Sequence, residues 1–141
     1  MEEIMPNETC TVKHINHTAI VVKDINESIS FYEDLFGVTS GPVEDIEDQG
    51  VKACLIKIGG TQLEIIQPVQ SGTGVAKFLE NKGEGLHHIG LEVENIENAL
   101  EILKTRGVQL VDQQPRHGLS GTIAFLHPRA TKGVLIELVQ P

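Results

Sequence analysis

Hydrophobic positions along this chain change their period in a regular way, and the change happens twice. His14 to Val22 is rich in branched side chains and predicts a strand. After Asp24 the period lengthens. Ile25, Ile29, Tyr32 and Leu35, with Phe36, recur at helical spacing, behind capping residues in Asp24-Ile25-Asn26-Glu27-Ser28 and ahead of a stop at Gly37. Val51 to Ile58 and Thr61 to Gln67 read as two strands joined at Gly59-Gly60, a hairpin signal. Val75 to Asn81 reads as a short helix closed by Lys82-Gly83. The plan then restarts. His88 to Val93 predicts a strand, Asn95 a cap, and Ile96, Leu100 and Leu103 one helical face that ends at Gly107. Val108 to Val111 reads as a short strand, Gln113 to Gly121 as a polar loop, and Thr122 to Leu126 and Gly133 to Val139 as two more strands. The third strand of the first half is weakly marked and falls in Val38 to Val43.

The order is βαβββ, a linker with a helix, then βαβββ. Half of such a unit cannot cover its own sheet, so two copies are expected to share one core. The expected fold is α+β: two paired βαβββ modules, about residues 13–70 and 86–141, forming a curved mixed sheet around a cleft. Residues 13–141 then make one domain, preceded by a loose segment over 1–12.

Composition narrows the function without changing that fold. The chain has 141 residues, enough to bury a core without staples, and its 40% hydrophobic and 22% charged content is that of an ordinary globular protein. Its net charge of −9 argues against nucleic acid, whose phosphates need clustered cations. An anionic small molecule remains compatible wherever a local cluster overrides the global sign. Cys10 and Cys54 show no disulfide pattern and read as reduced thiols. No run reaches the roughly 20 apolar residues of a membrane helix. The start, Met1-Glu2-Glu3-Ile4, lacks the basic-then-apolar order of a signal peptide. A cytoplasmic location is therefore expected.

Candidate chemistry follows the repeat. His17 and His88 head corresponding strands, and Glu64 and Glu137 are single acids embedded in apolar runs. The spacings agree, 88 − 17 = 71 and 137 − 64 = 73. Two imidazoles with two carboxylates suit a divalent transition ion: cobalt, manganese, nickel, iron or zinc. Taken singly, each is a polar residue on a strand. Glu137 is the sharpest of the four, because a carboxylate buried among Leu135, Ile136, Leu138 and Val139 needs a metal, a cation or a raised pKa. Side chains alternate along a strand, so His17 shares a face with Ala19 and Val21, and His88 with Gly90 and Glu92. His87 then points the other way, and His14 and His117 read as surface or loop residues. His127 is placed to orient the loop leading to Gly133. Arg129 and Lys132, in that local basic loop, are candidate partners for a phosphate or carboxylate, against the plainer reading of a solvated turn. Gly118 to Gly121 reads as a flexible segment able to move over a ligand.

At these residues the chain resembles the vicinal oxygen chelate superfamily, and within it the methylmalonyl-CoA epimerases. The resemblance runs from about His14 to Pro141. It is carried by Asn16-His17-Thr18-Ala19-Ile20, by Gly85-Leu86-His87-His88-Ile89, and by Phe125-Leu126-His127-Pro128 followed by Lys132-Gly133-Val134-Leu135-Ile136-Glu137-Leu138. It implies a divalent metal, Co2+ first and Mn2+, Ni2+ or Zn2+ as alternatives, held by His17, His88 and Glu137 with Glu64 fourth. Some family members carry Gln at that fourth position. It also implies an acyl-CoA substrate, a homodimer, and interconversion of (R)- and (S)-methylmalonyl-CoA by alpha-proton exchange through a metal-stabilised enolate. Glu137 is one acid/base. Some members have a second Glu where this chain has Ala53, which leaves Glu44, Glu47, Asp48 or a metal-bound water for that role. A glyoxalase-type isomerase, a dioxygenase and a non-enzymatic binding protein are the alternatives on the same fold.

Overall fold

A computed structural model describes residues 3–141; Met1 and Glu2, part of the expected loose segment, lie outside the described residues. The elements are β1 (Val12–Val21), α1 (Ile25–Phe36), β2 (Glu44–Ile46), β3 (Val51–Ile58), β4 (Thr61–Pro68), α2 (Gly74–Lys82), β5 (Gly85–Val93), α3 (Ile96–Thr105), β6 (Arg116–Gly118), β7 (Gly121–Leu126) and β8 (Ile136–Gln140). The βαβββ order therefore occurs twice, with α2 between the copies. Hydrogen-bonded neighbours run β2-β3-β4-β1-β5-β8-β7-β6, a mixed eight-stranded sheet. The chain forms two compact units, one of residues through Asn16 with His88–Pro141, the other His17–His87. Strand β1 crosses that boundary, so the units are not simply the two sequence copies.

Within each unit one sheet face is covered by its helix. In His17–His87, Val22, Cys54, Ile56 and Ile65 pack on Ile25 and Ile29 of α1. In the other unit, Val93, Ala124, Leu126 and Leu138 pack on Ile96, Ala99 and Leu100 of α3, with the half-buried Cys10 beside them. The parities match: β1 and β5 each give the helix one set of alternate residues and keep the other set, which includes the histidine, for the opposite face. Burial pushes the Cys54 thiol up to about 11, so this core cysteine is no nucleophile at neutral pH.

The helix starts repeat to atomic detail. Asp24 accepts the Glu27 N–H at 3.0 Å, and Asn95 accepts the Asn98 N–H at 3.0 Å. The next orphan donor is met the same way in both copies. Ile25 N–H donates to Gln67 Oε1, and Ile96 N–H to Gln140 Oε1, each at 2.9 Å. These residues keep the repeat spacing, 96 − 25 = 71 and 140 − 67 = 73. Gly37 ends α1 in the left-handed region at φ 65°, where a side chain would be strained.

Three expectations need correction. The weak strand of the first half is not Val38–Val43 but Glu44–Ile46; Ser40 keeps only a single bridge to Ile56. Pro42 lies in the expected segment, and proline has no N–H to give a ladder. Val108–Val111 is not a strand, since only Leu110 bridges to Leu126. The strand at that place in the repeat is β6, inside the expected polar loop, and Gly118 and Gly121 bracket the tight turn of the β6–β7 hairpin. The last strand begins at Ile136 rather than Gly133, because Pro128–Thr131 forms a 3-10 turn and Lys132 adopts φ 64° behind it.

Candidate active site

The two histidines and two acids occupy equivalent places. His17 and Ala19 lie on the face of β1 turned away from α1, and parallel pairing sets Ala19 opposite Glu64 of β4. His88 and Gly90 lie likewise on β5, and Gly90 is opposite Glu137 of β8. A small residue opposite each acid leaves the carboxylate room beside its histidine. All four are buried: His17 is 0% exposed, His88 5%, Glu64 7% and Glu137 4%. His17 Nε2 lies 3.6 Å from Glu64 Oε1, and His88 Nε2 lies 3.7 Å from Glu137 Oε1.

Both separations are longer than a hydrogen bond. Two ligands that each stand about 2.0–2.2 Å from one ion are spaced by roughly 3–3.7 Å, so each pair has the spacing of neighbouring ligands. Burying a carboxylate is costly unless something compensates it. The beginnings of a second layer are present too. Phe125, paired with Glu137 across β7–β8, meets the His88 ring edge-on at 5.0 Å and 88°. Leu55 takes the corresponding place opposite Glu64.

Other predicted residues are scattered. Arg129 and Lys132 are exposed on the turn between β7 and β8, where the Arg129 N–H donates to His127 Nδ1 at 3.1 Å. His127 thus orients that turn, as its sequence position suggested. His87 does face away from His88 and packs edge-on against Phe78 of α2 at 5.0 Å. Glu92 shares its parity with His88 yet is engaged elsewhere, by Asn16 at 3.2 Å, His14 at 3.3 Å and Lys13 at 3.8 Å. Ala53 is buried, and register pairs it with Glu44 of β2; Glu47 and Asp48 lie in the following 3-10 turn. Sequence reasoning overlooked Asp112 and Arg116. Asp112 Oδ1 lies 3.1 Å from Arg116 Nε, and the guanidinium stands 5.6 Å from the Phe125 ring. The cue was available, a cation two residues before Gly118, but only strand pairing gives it a face.

The family model of the Glyoxalase/Bleomycin resistance protein/Dioxygenase superfamily matches residues 16–126. An ethylmalonyl-CoA/methylmalonyl-CoA epimerase of Cereibacter sphaeroides is 36% identical over 92% of this chain and 98% of its own. The chain belongs to the methylmalonyl-CoA epimerase family. A Streptomyces coelicolor methylmalonyl-CoA epimerase variant, solved in complex with 2-nitronate-propionyl-CoA, has a TM-score of 0.88 to this epimerase-family chain at 31% identity, over 92% of this chain and 98% of that one. The uncharacterized protein YqjC of Bacillus subtilis is 39% identical over 92% of this chain and 94% of its own. As a member of the epimerase family the chain is an isomerase. The buried histidine and carboxylate pairs lie at the same register position in its two repeats, and together they suggest a divalent metal.

Proposed function

We propose that this chain interconverts (R)- and (S)-methylmalonyl-CoA, with His17, His88, Glu137 and Glu64 holding one divalent ion, Co2+ first among the candidates. The observation that carries the metal is the donor chemistry: each unit buries a histidine beside a carboxylate, His17 with Glu64 at 3.6 Å and His88 with Glu137 at 3.7 Å. Glu64, 3.6 Å from His17, is the fourth ligand in this proposal. Imidazole nitrogen with carboxylate oxygen is a donor set for cobalt, manganese, nickel or zinc, whereas calcium takes oxygen ligands. An ion bound there supplies positive charge for the oxyanion that forms when an alpha proton leaves a thioester.

The chain's own residues handle the proton. A Glu137 carboxylate oxygen accepts it from the alpha carbon as the C–H pair moves into the enolate. Inversion needs a second carrier on the opposite face. Glu44 is that residue in this proposal, because it stands opposite Ala53 on the strand face that continues, through Ile66, to Glu64. Glu44 delivers a proton to the other side of the planar carbon and recovers one from solvent, and Glu137 releases the proton it took to solvent. Arg129 and Lys132 are, in this proposal, substrate contacts for a phosphate or carboxylate of the acyl-CoA. A homodimer and a cytoplasmic location complete the proposal, and light scattering checks the dimer.

The deciding experiment is deuterium exchange at the alpha carbon of methylmalonyl-CoA with cobalt-loaded protein. Exchange with loss of stereochemical purity is expected. No exchange, with turnover of a glutathione hemithioacetal instead, would replace this reading by a glyoxalase-type isomerase.

A further inference from the structure

Strand register sets the face of Arg116, a cation of the unit that holds His88 and Glu137. Arg116 pairs with Ile123 of β7, Ile123 pairs with Val139 of β8, and Phe125, two residues on, pairs with Glu137. Cross-strand partners point to the same side, as do alternate residues of one strand. Arg116, Phe125 and Glu137 therefore share the face opposite α3. The guanidinium lies over the Phe125 ring at 5.6 Å, and the same ring abuts His88 at 5.0 Å.

Asp112 fixes this arrangement from behind. Its Oδ2 accepts the Phe125 N–H at 2.8 Å, and its Oδ1 stands 3.1 Å from Arg116 Nε. That Nε is buried and makes no hydrogen bond, while the Arg116 side chain as a whole is 39% exposed. The stem and inner nitrogen are thus held by an acid and an aromatic ring, and the outer part of the planar fork reaches open space. A surface ion pair between flexible side chains has no such two-sided support.

We infer that Arg116 recognises the free carboxylate of the acyl group, the group that separates a 2-carboxyacyl thioester from a simple one. The inference rests on the epimerase reading of the site. The electrostatics call for such a residue. The chain carries a net charge of −9, and the two carboxylates of the proposed ligand set offset the charge of a divalent ion bound by them, so a separate cation is what favours an anionic acyl group. Arginine suits the task because its planar fork matches a carboxylate in two parallel hydrogen bonds. Arg129 and Lys132 lack comparable support on their exposed turn. Pairing the carboxylate also eases formation of a second negative charge on the neighbouring carbon, so Arg116 acts on turnover as well as on binding.

The test compares malonyl-CoA with acetyl-CoA, which differ only by the carboxylate, by titration calorimetry on cobalt-loaded protein. Wild type is expected to prefer malonyl-CoA by about 100-fold. Arg116→Gln should bind acetyl-CoA as before and reduce the preference to within about 3-fold, with Arg116→Lys in between. If Arg116→Gln does not fold, Arg116→Lys decides: a drop in preference of at least about tenfold supports the assignment, and an unchanged preference overturns it. A merely structural ion pair with Asp112 would alter stability and leave the preference intact, which also overturns it. If wild type exchanges methylmalonyl-CoA yet shows no preference, the inference alone fails. If it neither exchanges nor prefers, the epimerase reading fails with it.

Discussion

Glu137→Gln isolates charge from shape. The side chain keeps its volume and an oxygen donor, and loses its negative charge and its capacity to carry a proton. Glu137 is 4% exposed, with Oε1 3.7 Å from His88 Nε2. Desolvating a buried carboxylate costs several kcal/mol, and contact with a neutral imidazole returns only part of it. The amide avoids that cost, so the metal-free variant should be at least as stable as metal-free wild type. The difference emerges when metal is added. With Co2+ at about 1,000 times the wild-type Kd, binding stabilises the fold by about 4.1 kcal/mol. A ligand change that weakens binding by about 100-fold, the upper end of what losing even an outer partner costs, leaves about 1.4 kcal/mol. At roughly 4 °C per kcal/mol for a domain of this size, the cobalt-induced rise in Tm should fall from about 16 °C to about 6 °C. Alpha-proton exchange should fall by about 10²- to 10⁴-fold. Calorimetric unfolding across a cobalt series, with exchange followed by NMR, measures both. A cobalt shift equal to that of wild type would remove Glu137 from the ligand set, and undiminished exchange would remove it as the base.

Glu44→Gln should leave cobalt affinity unchanged and slow conversion between epimers by about 10²-fold or more, while exchange on the Glu137 side persists; equal loss of both would sink its role as second carrier. Gln67→Ala and Gln140→Ala each remove the partner of a helix-start N–H, and each should cost about 1 kcal/mol by urea denaturation, the double variant about the sum; a neutral result at either site would mean that water replaces the amide. Burial raises the Cys54 thiol from 9.0 to about 11 in the folded protein, so folding favours its protonated form. That stabilisation is complete below pH 9 and disappears as the pH passes about 11. Wild type should therefore lose stability more steeply than Cys54→Ala over that interval, and parallel curves would refute the shift.

Local signals sufficed wherever an element's state is decided by its own residues. Asp24 and Asn95 cap their helices because a short acceptor side chain reaches back to an N–H three residues on, whatever the rest of the chain does. Gly37 ends α1 through its own backbone freedom. Alternation put His17 and His88 on the faces turned from their helices, because successive strand residues point to opposite sides in any sheet. The repeat spacing of 71 and 73 found both acids, and the same spacing recurs in the Ile–Gln contacts behind the helix starts.

Short edge strands were another matter. Glu44–Ile46 and Arg116–Gly118 are three residues each, too few for a period, and they become strands only because β3 and β7 offer them a ladder. Val108–Val111 shows the converse, four residues of good strand composition that find only one bridging partner. With β2 and β6 went the side chains they carry. Whether Glu44 faces Ala53, and whether Arg116 stands over Phe125 on the Glu137 side, is set by the register in which neighbouring strands pair. A one-residue slip would reverse each of them. The sequence by itself determined the doubled βαβββ plan, its caps, and the identity of the four candidate ligands. Only tertiary pairing decided which remaining charges reach that face, because a strand's face belongs to the pair and not to the single segment.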